Sequence, residues 1–482
     1  MHHEAGTCAA STEPAKVGSG RCLFQLCTID WSRLRPYRPI PIVAGGIWLL
    51  VAWIQIIVAP RGDFILHFEL GRRLAEGRFI YEGGHDFVYP PFWAMVHAPL
   101  SFFGLHLAQV LVYPLAGISI TVLVLVLHKL TERHLPLSAD ADFWATSLAI
   151  LLASLFLGRD LPEVGVNTAL VALSWSAVYM WSKHRDVAGG VLLGLAASLK
   201  CTPLLFVAYF VLKRQWKIAA VSLAACCLFT LSPAIVTGPG EYVRMMDNWV
   251  QGVVRGLSDP DPSRGPLGEE KVENLSLRPA LARYLMHLPY GHLGRPETSD
   301  TPGRSNAPES RYYYQFIGLS PFQAGVTVRI IMAGLLFAMA FMMRRKPRDR
   351  DSFATVWECA AVSILILLLS PITWVQHSVG LFPALFLICR AAVAGLNFPR
   401  WTEWAMGGYI VFCMLMSRAF LGRDLIKLAN GYRVKTIGFL LLLCVVTACW
   451  RRVSGTRDRA MEFGREDCGM DKTGGNGGVS LR

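Results

Sequence analysis

The chain has 482 residues, is 53% hydrophobic and only 17% charged, and carries a net charge of +13. Soluble domains average about 25% charged residues, so this deficit, with a mean hydropathy of +0.40, excludes a soluble globular domain and points to a membrane protein with many spans. The positive charge sits between apolar runs, not in a soluble segment interleaved with aromatics, which excludes a nucleic-acid-binding module.

Residues 1–36 lack the short apolar core of a signal peptide and read as a disordered cytoplasmic N-terminus, so the first membrane helix serves as an uncleaved anchor. Runs near the roughly 20 residues that a spanning helix needs follow at 39–59, 105–128, 142–158, 165–182, 216–236, 322–343, 354–370, 374–393, 404–420 and 434–450. Residues 186–213 are also apolar, but Lys200-Cys201-Thr202-Pro203 interrupts them; they read as two short helices meeting at the far membrane face. Residues 90–103 are short for a span and read as a half-inserted helix. The expectation is an all-α polytopic membrane protein with about eleven to thirteen membrane segments, some short or re-entrant. Its membrane domain covers 37–450, its external loops are 60–104 and 237–320, and 451–482, with the Gly-rich run Lys472-Thr473-Gly474-Gly475, form a disordered cytoplasmic tail.

Lys and Arg in short loops set the orientation. With Arg33, Arg35, Arg38, Lys183, Arg185, Lys213, Arg214, the cluster at 344–350 and Arg451-Arg452 placed inside, the Asp63 loop, Gly158–Gly165, Lys200, residues 237–320 and 371–378 fall outside. One group breaks the rule: Arg418, Arg423, Lys427, Arg433 and Lys435 also fall outside. The twelve cysteines show no CxxC or metal spacing, and neither external loop contains one, so no disulfide framework is indicated.

The richest stretch is Arg61–Pro99. Phe64–Glu76 reads as an amphipathic helix that Asp63 caps and Gly77 ends, with Glu69 paired to Arg72 and Arg73 at helical spacing. His67 lies four residues beyond Asp63. From spacing alone an N-cap is the simpler role for Asp63; a carboxylate at a membrane surface also suits a base. Tyr89-Pro90-Pro91 fixes an extended turn into a helix, and its aromatics equally suit an interfacial belt. Lys200 at membrane depth either snorkels or serves a substrate. Arg159 and Asp160 stand at another external junction, where simple pairing with each other is the alternative to a substrate role. The 237–320 loop carries an amphipathic helix at 241–256, then the formal sequon Asn274-Leu275-Ser276, whose use is not predicted. Ser370–His377 is a polar, aromatic junction at the same face. Asp140-Ala-Asp142 and Asp259-Pro-Asp261 match a short sugar-transferase pattern but lack a nucleotide-binding context and are discounted.

Taken in order, several of these pieces resemble glycosyltransferase family 87, the polyprenol-phosphate-sugar-dependent enzymes with a C-type glycosyltransferase fold. They are Asp63 with Gly77-x-x-Ile80-Tyr81, Tyr89-Pro90-Pro91-Phe92 with Ala98-Pro99-Leu100, Ser198–Pro203, Asn274-Leu275-Ser276-Leu277 with Arg283, and Ser370–Trp374 with His377. The resemblance implies a mannosyltransferase-like enzyme that draws a hexosyl group from a polyprenyl-phosphate sugar outside the cytoplasm, with Asp63 as the catalytic base. Two departures stand out. Trp374-Val375-Gln376-His377 replaces the family's Trp-Asp-His-His, and Gly165-Val166-Asn167 lacks an expected Gln.

Such a transfer needs a base for the acceptor hydroxyl and cations for the departing phosphate. Lys200 and His377, with Arg278 and Arg159, are candidates for the phosphate; Tyr89, Trp374 and Gln376 complete the expected substrate surface. A single carboxylate suits inversion. No metal and no cofactor beyond the lipid-phosphate sugar is expected, and the partners are that donor, a glycan or glycolipid acceptor and membrane lipids, with no nucleic acid. The expected location is the bacterial inner (plasma) membrane. The competing readings are a lipid-linked substrate transporter or flippase and a non-catalytic assembly subunit. Convergence of Asp63, Lys200 and His377 on one cavity separates the last from the enzyme.

Overall fold

The apolar runs fold as helices, since within hydrocarbon every backbone N–H and C=O must be satisfied inside its own segment. The computed structural model describes residues 21–60, 62–82, 89–255, 258–266, 268–269, 273–286, 316–345, 347 and 349–467. Among them, seven helical stretches are long and apolar enough to cross a membrane: Pro39–Val58, Leu105–Thr131, Ala139–Glu163, Trp216–Thr237, Pro321–Met343, Val375–Val393 and Val434–Ser454. The expected spans at 165–182 and 354–370 are helices Val166–Ser182 and Phe353–Leu369, of 17 residues each, or about 25 Å at 1.5 Å per residue. The expected span at 404–420 is broken instead. It is a helix at Trp401–Tyr409, a widened turn at Ile410–Leu415 and a non-helical Met416. Strand structure among the described residues is confined to two-residue pairings, Arg21–Cys22 with Asn397–Phe398 and Arg264–Gly265 with Gly268–Glu269. The architecture is therefore all-α.

We label the elements that build the site α1 (Pro39–Val58), α2 (Phe64–Ala75), α3 (Pro91–His97), α4 (Leu105–Val112), α5 (Pro114–Thr131), α6 (Ala139–Asp160), α7 (Val166–Ser182), α8 (Asp186–Leu199), α9 (Leu204–Leu212) and α10 (Trp216–Leu231). The helices α8 and α9 form the expected hairpin. Asp186 at one end pairs with Arg350 at 2.7 Å, and Lys213 at the other reaches Glu358 at 2.7 Å and the Arg345 carbonyl at 2.9 Å, so both ends lie at one face. Lys200 marks the opposite end.

Small residues bring α8 against α10. A Cβ added at Gly194 would lie 2.6 Å from Ala225 Cβ and 2.7 Å from the Ser222 carbonyl; one at Gly190 would lie 2.6 Å from Val221 Cβ. Close backbone approach through small residues is the usual basis of helix packing in lipid, where water drives no burial. A larger core joins α5, α6, α7 and the later helices around Trp175, Trp181 and Trp357, all fully buried. Trp175 Nε1 donates to Ser363 Oγ at 3.1 Å.

The far end carries the ion pairs. Asp140 is held by Arg38 at 2.6 Å and Arg35 at 3.4 Å, and Asp142 by Arg390 and, at 3.2 Å, by His128. The discounted Asp140/Asp142 pattern is thus spent on structure. Asp259 and Asp261 form tight local turns, accepting from the backbone N–H groups of Asp261 and Ser263. Residues 21–36, expected within a disordered terminus, instead join the fold from Arg21 on. Leu23 is buried in the main core, because its segment pairs with the 397–398 strand. Residues 1–20 and 468–482 lie outside the described residues, and the last helix, Val434–Asp467, continues past the expected end of the membrane domain at 450.

Candidate active site

Asp63 occupies the N-cap position of α2, but its own backbone is helical (φ −72°, ψ −8°) and its side chain makes no capping bond. The carboxylate turns away and accepts from Gln376 Nε2 at 3.1 Å. Between the two expected uses of Asp63, the side chain is therefore free of the cap. Its backbone N–H is instead taken by the Glu163 carboxylate. Gly62 makes this possible: it sits at φ +72°, and a Cβ there would come within 2.8 Å of Glu163 Oε1, so both the left-handed backbone and the close approach demand glycine. At the other end of α2, Gly77 at φ +67° closes the helix as expected, with its N–H on the Leu74 carbonyl at 3.1 Å. Glu69 pairs with Arg72 at 2.8 Å and Arg73 at 3.0 Å.

The second anchor is the turn from α6 to α7. Asp160, 1% exposed, accepts four hydrogen bonds: from the Asn167 N–H (3.2 Å) and Nδ2 (2.8 Å), and from the Thr168 N–H (2.9 Å) and Oγ1 (2.7 Å). Asp160 therefore does not pair with Arg159; it caps α7 from within the fold. Val164 and Gly165 both have left-handed φ in this turn; for a β-branched valine that is a strained conformation. The bonds to Asp160 fix Asn167, whose Oδ1 receives Lys200 Nζ at 3.2 Å. Asn167 thus serves where the family resemblance led one to expect a Gln.

Lys200 ends α8 and points into the same space. Its Nζ is 3.0 Å from His377 Nε2 and 5.8 Å from the Tyr89 ring centre. Burial depresses the Lys200 ammonium to about 8, against the opposing pull of Asp160 and Asp63. His377 belongs to the Trp374–Leu381 turn, where the Trp374 N–H meets its Nδ1 at 3.1 Å. That turn is held from below by the former sequon. Asn274, 2% exposed, accepts the Thr373 N–H at 2.9 Å and donates to the Pro371 carbonyl at 3.0 Å, and the Leu275 N–H donates to the Thr373 carbonyl at 2.7 Å. The sequon is a buried strut.

Tyr89, Trp93, His67 and His97 stack beside Asp63. The Tyr89 and Trp93 rings lie 4.5 Å apart, and His67 meets each of them edge-on at 5.0 Å. Burial, helped by the charges of Asp63, Glu163 and Asp160, pushes the Tyr89 hydroxyl far up, so Tyr89 stays a neutral donor. Burial also lowers His67, together with His97 and Lys200, and lowers His97 to about 4, leaving both imidazoles neutral.

These groups line one cavity of about 1150 Å³, which takes in Asp63, His67, Tyr89, Arg159, Lys200, Glu273, Trp374, Gln376, His377, Arg418 and Lys435. Seven of the eight candidate residues read from the sequence converge there. Arg278 is the exception: it lies off the lining and donates to the carbonyls of Asp259 (3.2 Å) and Asp261 (3.0 Å), pinning that loop. Arg418 and Lys435, from the group that broke the expected charge distribution, also face this cavity. Among the described residues no three His, Cys, Asp or Glu side chains are grouped to hold a metal ion.

The profile of glycosyltransferase family 87 matches residues 87–371, more than half of the chain. The chain belongs to glycosyltransferase family 87. Among its relatives is a polyprenol-phosphate-mannose-dependent alpha-(1-2)-phosphatidylinositol mannoside mannosyltransferase of Mycobacterium tuberculosis, 29% identical over 38% of this chain and 49% of the relative. An enzyme of the same description from Mycolicibacterium smegmatis is 24% identical over 75% of this chain and 76% of that one. A phosphatidylinositol pentamannoside mannosyltransferase of that organism, also dependent on polyprenol-phosphate-mannose, is 26% identical over 68% and 66%. The match thus spans about half of the first relative's length. The crystal structure of ArnT from Cupriavidus metallidurans in the apo state covers 87% of this chain and 77% of its own at 15% identity and a TM-score of 0.36, too slight a likeness to carry an argument.

This family 87 protein, with its seven long apolar helices, is an integral membrane protein. The family match ends before Trp374 and begins after Asp63, so the pairing of Asp63 with Gln376 and of Lys200 with His377 is a feature of the tertiary structure. Glu163, which holds Asp63, had no signal of its own in the sequence beyond its place at a helix junction, whereas Asn167, which holds Lys200, stood where the resemblance implied a Gln. Lys435 and Arg418 did have one: they stood on the wrong face for the charge rule.

Proposed function

We propose that this chain transfers a mannosyl group from a polyprenyl-phosphate sugar to the hydroxyl of a glycan or glycolipid acceptor, on the external face of a bacterial plasma membrane, as a C-type glycosyltransferase. The observation that carries the reading is the meeting of Asp63, Gln376, Lys200, His377 and Tyr89 on one cavity within a family 87 chain. The names of the relatives support mannose as the sugar and a glycolipid as the acceptor class.

Asp63 takes the proton from the acceptor hydroxyl as that oxygen attacks the anomeric carbon. The bond to the lipid phosphate breaks, and the negative charge that gathers on the leaving phosphate falls to Lys200 and His377. Gln376, an amide with no proton to give up at neutral pH, orients the Asp63 carboxylate. Tyr89 remains protonated and donates to a sugar or phosphate oxygen. One carboxylate at the attacking side fits a single displacement with inversion, and the Lys200 ammonium takes the charge-stabilising role for which other enzymes recruit a metal. A volume of about 1150 Å³ exceeds the roughly 300–1,000 Å³ of a pocket for one small ligand and suits two substrates.

The test is Asp63→Asn in membranes supplied with polyprenyl-phosphate mannose. General-base catalysis contributes about 10²–10⁴-fold, and a loss of that order at normal protein levels is expected. Undiminished transfer would remove Asp63 as the base.

A further inference from the structure

His67 has no part in the transfer described above, yet it lines the cavity. It stands one helical turn beyond Asp63 on α2, and residues four apart share a helix face. Gly71 continues that face and brings it hard against α3: a Cβ there would lie 2.5 Å from the His97 carbonyl oxygen, so the helix is fixed in rotation and His67 with it. The imidazole is 2% exposed, and its Nδ1 is enclosed with no hydrogen-bond partner. Nε2, also without a bond to any described residue, is not enclosed. Buried polar groups are ordinarily bonded. The neighbouring buried histidine, His97, is bonded, with Nδ1 at 2.8 Å from the Trp93 carbonyl. A neutral imidazole carries one N–H. A buried N–H without a partner is rarer than a buried acceptor without one, which puts the proton on Nε2, where a ligand in the cavity can receive it.

The position of His67 tells which part of the substrates it meets. Asp63, the base, is one turn away on the same helix. In the other direction the His67 ring lies 5.0 Å from the Tyr89 ring, and the Tyr89 ring centre lies 5.8 Å from Lys200 Nζ. His67 thus stands between the base and the cation that receives the phosphate. In a single displacement the anomeric carbon lies between the attacking oxygen and the leaving phosphate, so the body that fills this interval is the transferred sugar. Its hydroxyl oxygens accept hydrogen bonds, as a neutral N–H requires. We propose that His67 binds the transferred hexose, with Nε2–H donating to one hydroxyl of that sugar, and that this bond helps select the sugar the donor carries. A site built to bond a substrate hydroxyl discriminates against the analogue that lacks it. The inference rests on the glycosyl-transfer reading above and adds to it a residue that reads the sugar.

The experiment uses the full-length protein in proteoliposomes with polyprenyl-phosphate mannose and its 2-, 3-, 4- and 6-deoxy analogues. Equilibrium binding of each donor is measured without acceptor, and transfer is measured with a mannoside glycolipid. His67→Phe keeps a ring against Tyr89 and Trp93 but has no donor; His67→Gln keeps a neutral N–H at similar reach. His67→Phe is expected to weaken binding of the mannose donor about tenfold, the loss of one hydrogen bond that leaves its partner unpaired, with KM for the acceptor unchanged. His67→Gln should recover most of that loss. One deoxy analogue should bind the wild type about tenfold more weakly and suffer no further loss in His67→Phe, since the two changes remove the same bond. A histidine that only packs would weaken all five donors alike. The proposal is overturned if His67→Phe costs the same factor on every donor, if it costs nothing, if Phe and Gln are equally impaired, or if the acceptor KM alone rises. Coupling to one hydroxyl in binding, with no transfer by the wild type, would count against the glycosyl-transfer reading and leave the His67 contact standing. Transfer by the wild type without that coupling would remove His67 alone.

Discussion

A single hydrogen bond decides how Asp63 is presented. A carboxylate at a helix start ordinarily turns back onto its own N–H groups; here Gln376 Nε2 draws it outward at 3.1 Å. Replacing Gln376 with Ala removes that orienting donor and is expected to lower kcat about tenfold, the effect of about 1.4 kcal/mol, at the upper end of the range of one ordinary hydrogen bond. Gln376→Glu sets a second carboxylate against the first, and the larger fall, about a hundredfold, should follow from like-charge repulsion. Both are read from steady-state transfer rates, and equal rates for the two variants would contradict an orienting amide. Lys200 gives a pH signature. Burial lowers its ammonium from an ordinary value of 10.5 to about 8, so the charged form that steadies the leaving phosphate prevails below about 8 and is lost above it. The rate should therefore fall as pH rises through about 8, and Lys200→Arg, whose guanidinium stays charged, should abolish that descending limb at some cost in rate.

At the scale of elements, the site depends on segments that carry no chemistry. The Asn274–Leu277 strut fastens the Ser370–His377 turn through the bonds of Asn274 and Leu275 to Thr373 and Pro371. On its other side Thr436 Oγ1 donates to the Leu275 carbonyl at 2.8 Å and Arg433 to that of Asn274, so the strut ties the His377 turn to the last helix. Asn274→Ala leaves buried backbone groups unpaired, each at about 1–3 kcal/mol. It should lower both the thermal midpoint and kcat, as heating curves and rate assays on the same preparation will show. The α8–α10 contact offers a control away from chemistry. Gly194→Ala would place a methyl carbon 2.6 Å from Ala225 Cβ; the helices must part, a strain of about 1–3 kcal/mol, which thermal unfolding in detergent will register.

The whole molecule divides its charges by face. One end is stitched by buried pairs, of which Lys213 with Glu358, backed by Tyr209 Oη at 2.7 Å, is the deepest. Breaking one partner of such a pair costs about 3–5 kcal/mol, whereas replacing both with apolar residues is often neutral. Glu358→Leu should thus destabilise strongly, and Lys213→Met with Glu358→Leu should recover most of the loss while leaving donor KM unchanged. The other end gathers cations around the cavity with few counter-charges. The external placement proposed for that end predicts that, in a background lacking the native cysteines, a cysteine put at Glu241 is labelled by an impermeant maleimide in intact cells, and one put at Arg214 only after lysis.

The linear sequence by itself determined most of the helices, because hydrophobic length acts locally, within one segment and its flanks. It also grouped Asp63, Lys200 and His377, which line one cavity. It did not show that Arg278 would be spent on the Asp259–Asp261 carbonyls, that the 404–420 run would break at Met416, or that a sequon would become a buried strut. Those outcomes depend on which groups meet across gaps of tens to hundreds of residues, and a polar side chain takes whichever partner packing brings within 3 Å. The tertiary structure alone decided that Asp63 leaves its helix cap for Gln376, and that Arg159, Arg418 and Lys435 face the same cavity, since only folding sets the distances on which hydrogen bonds and charge repulsion depend.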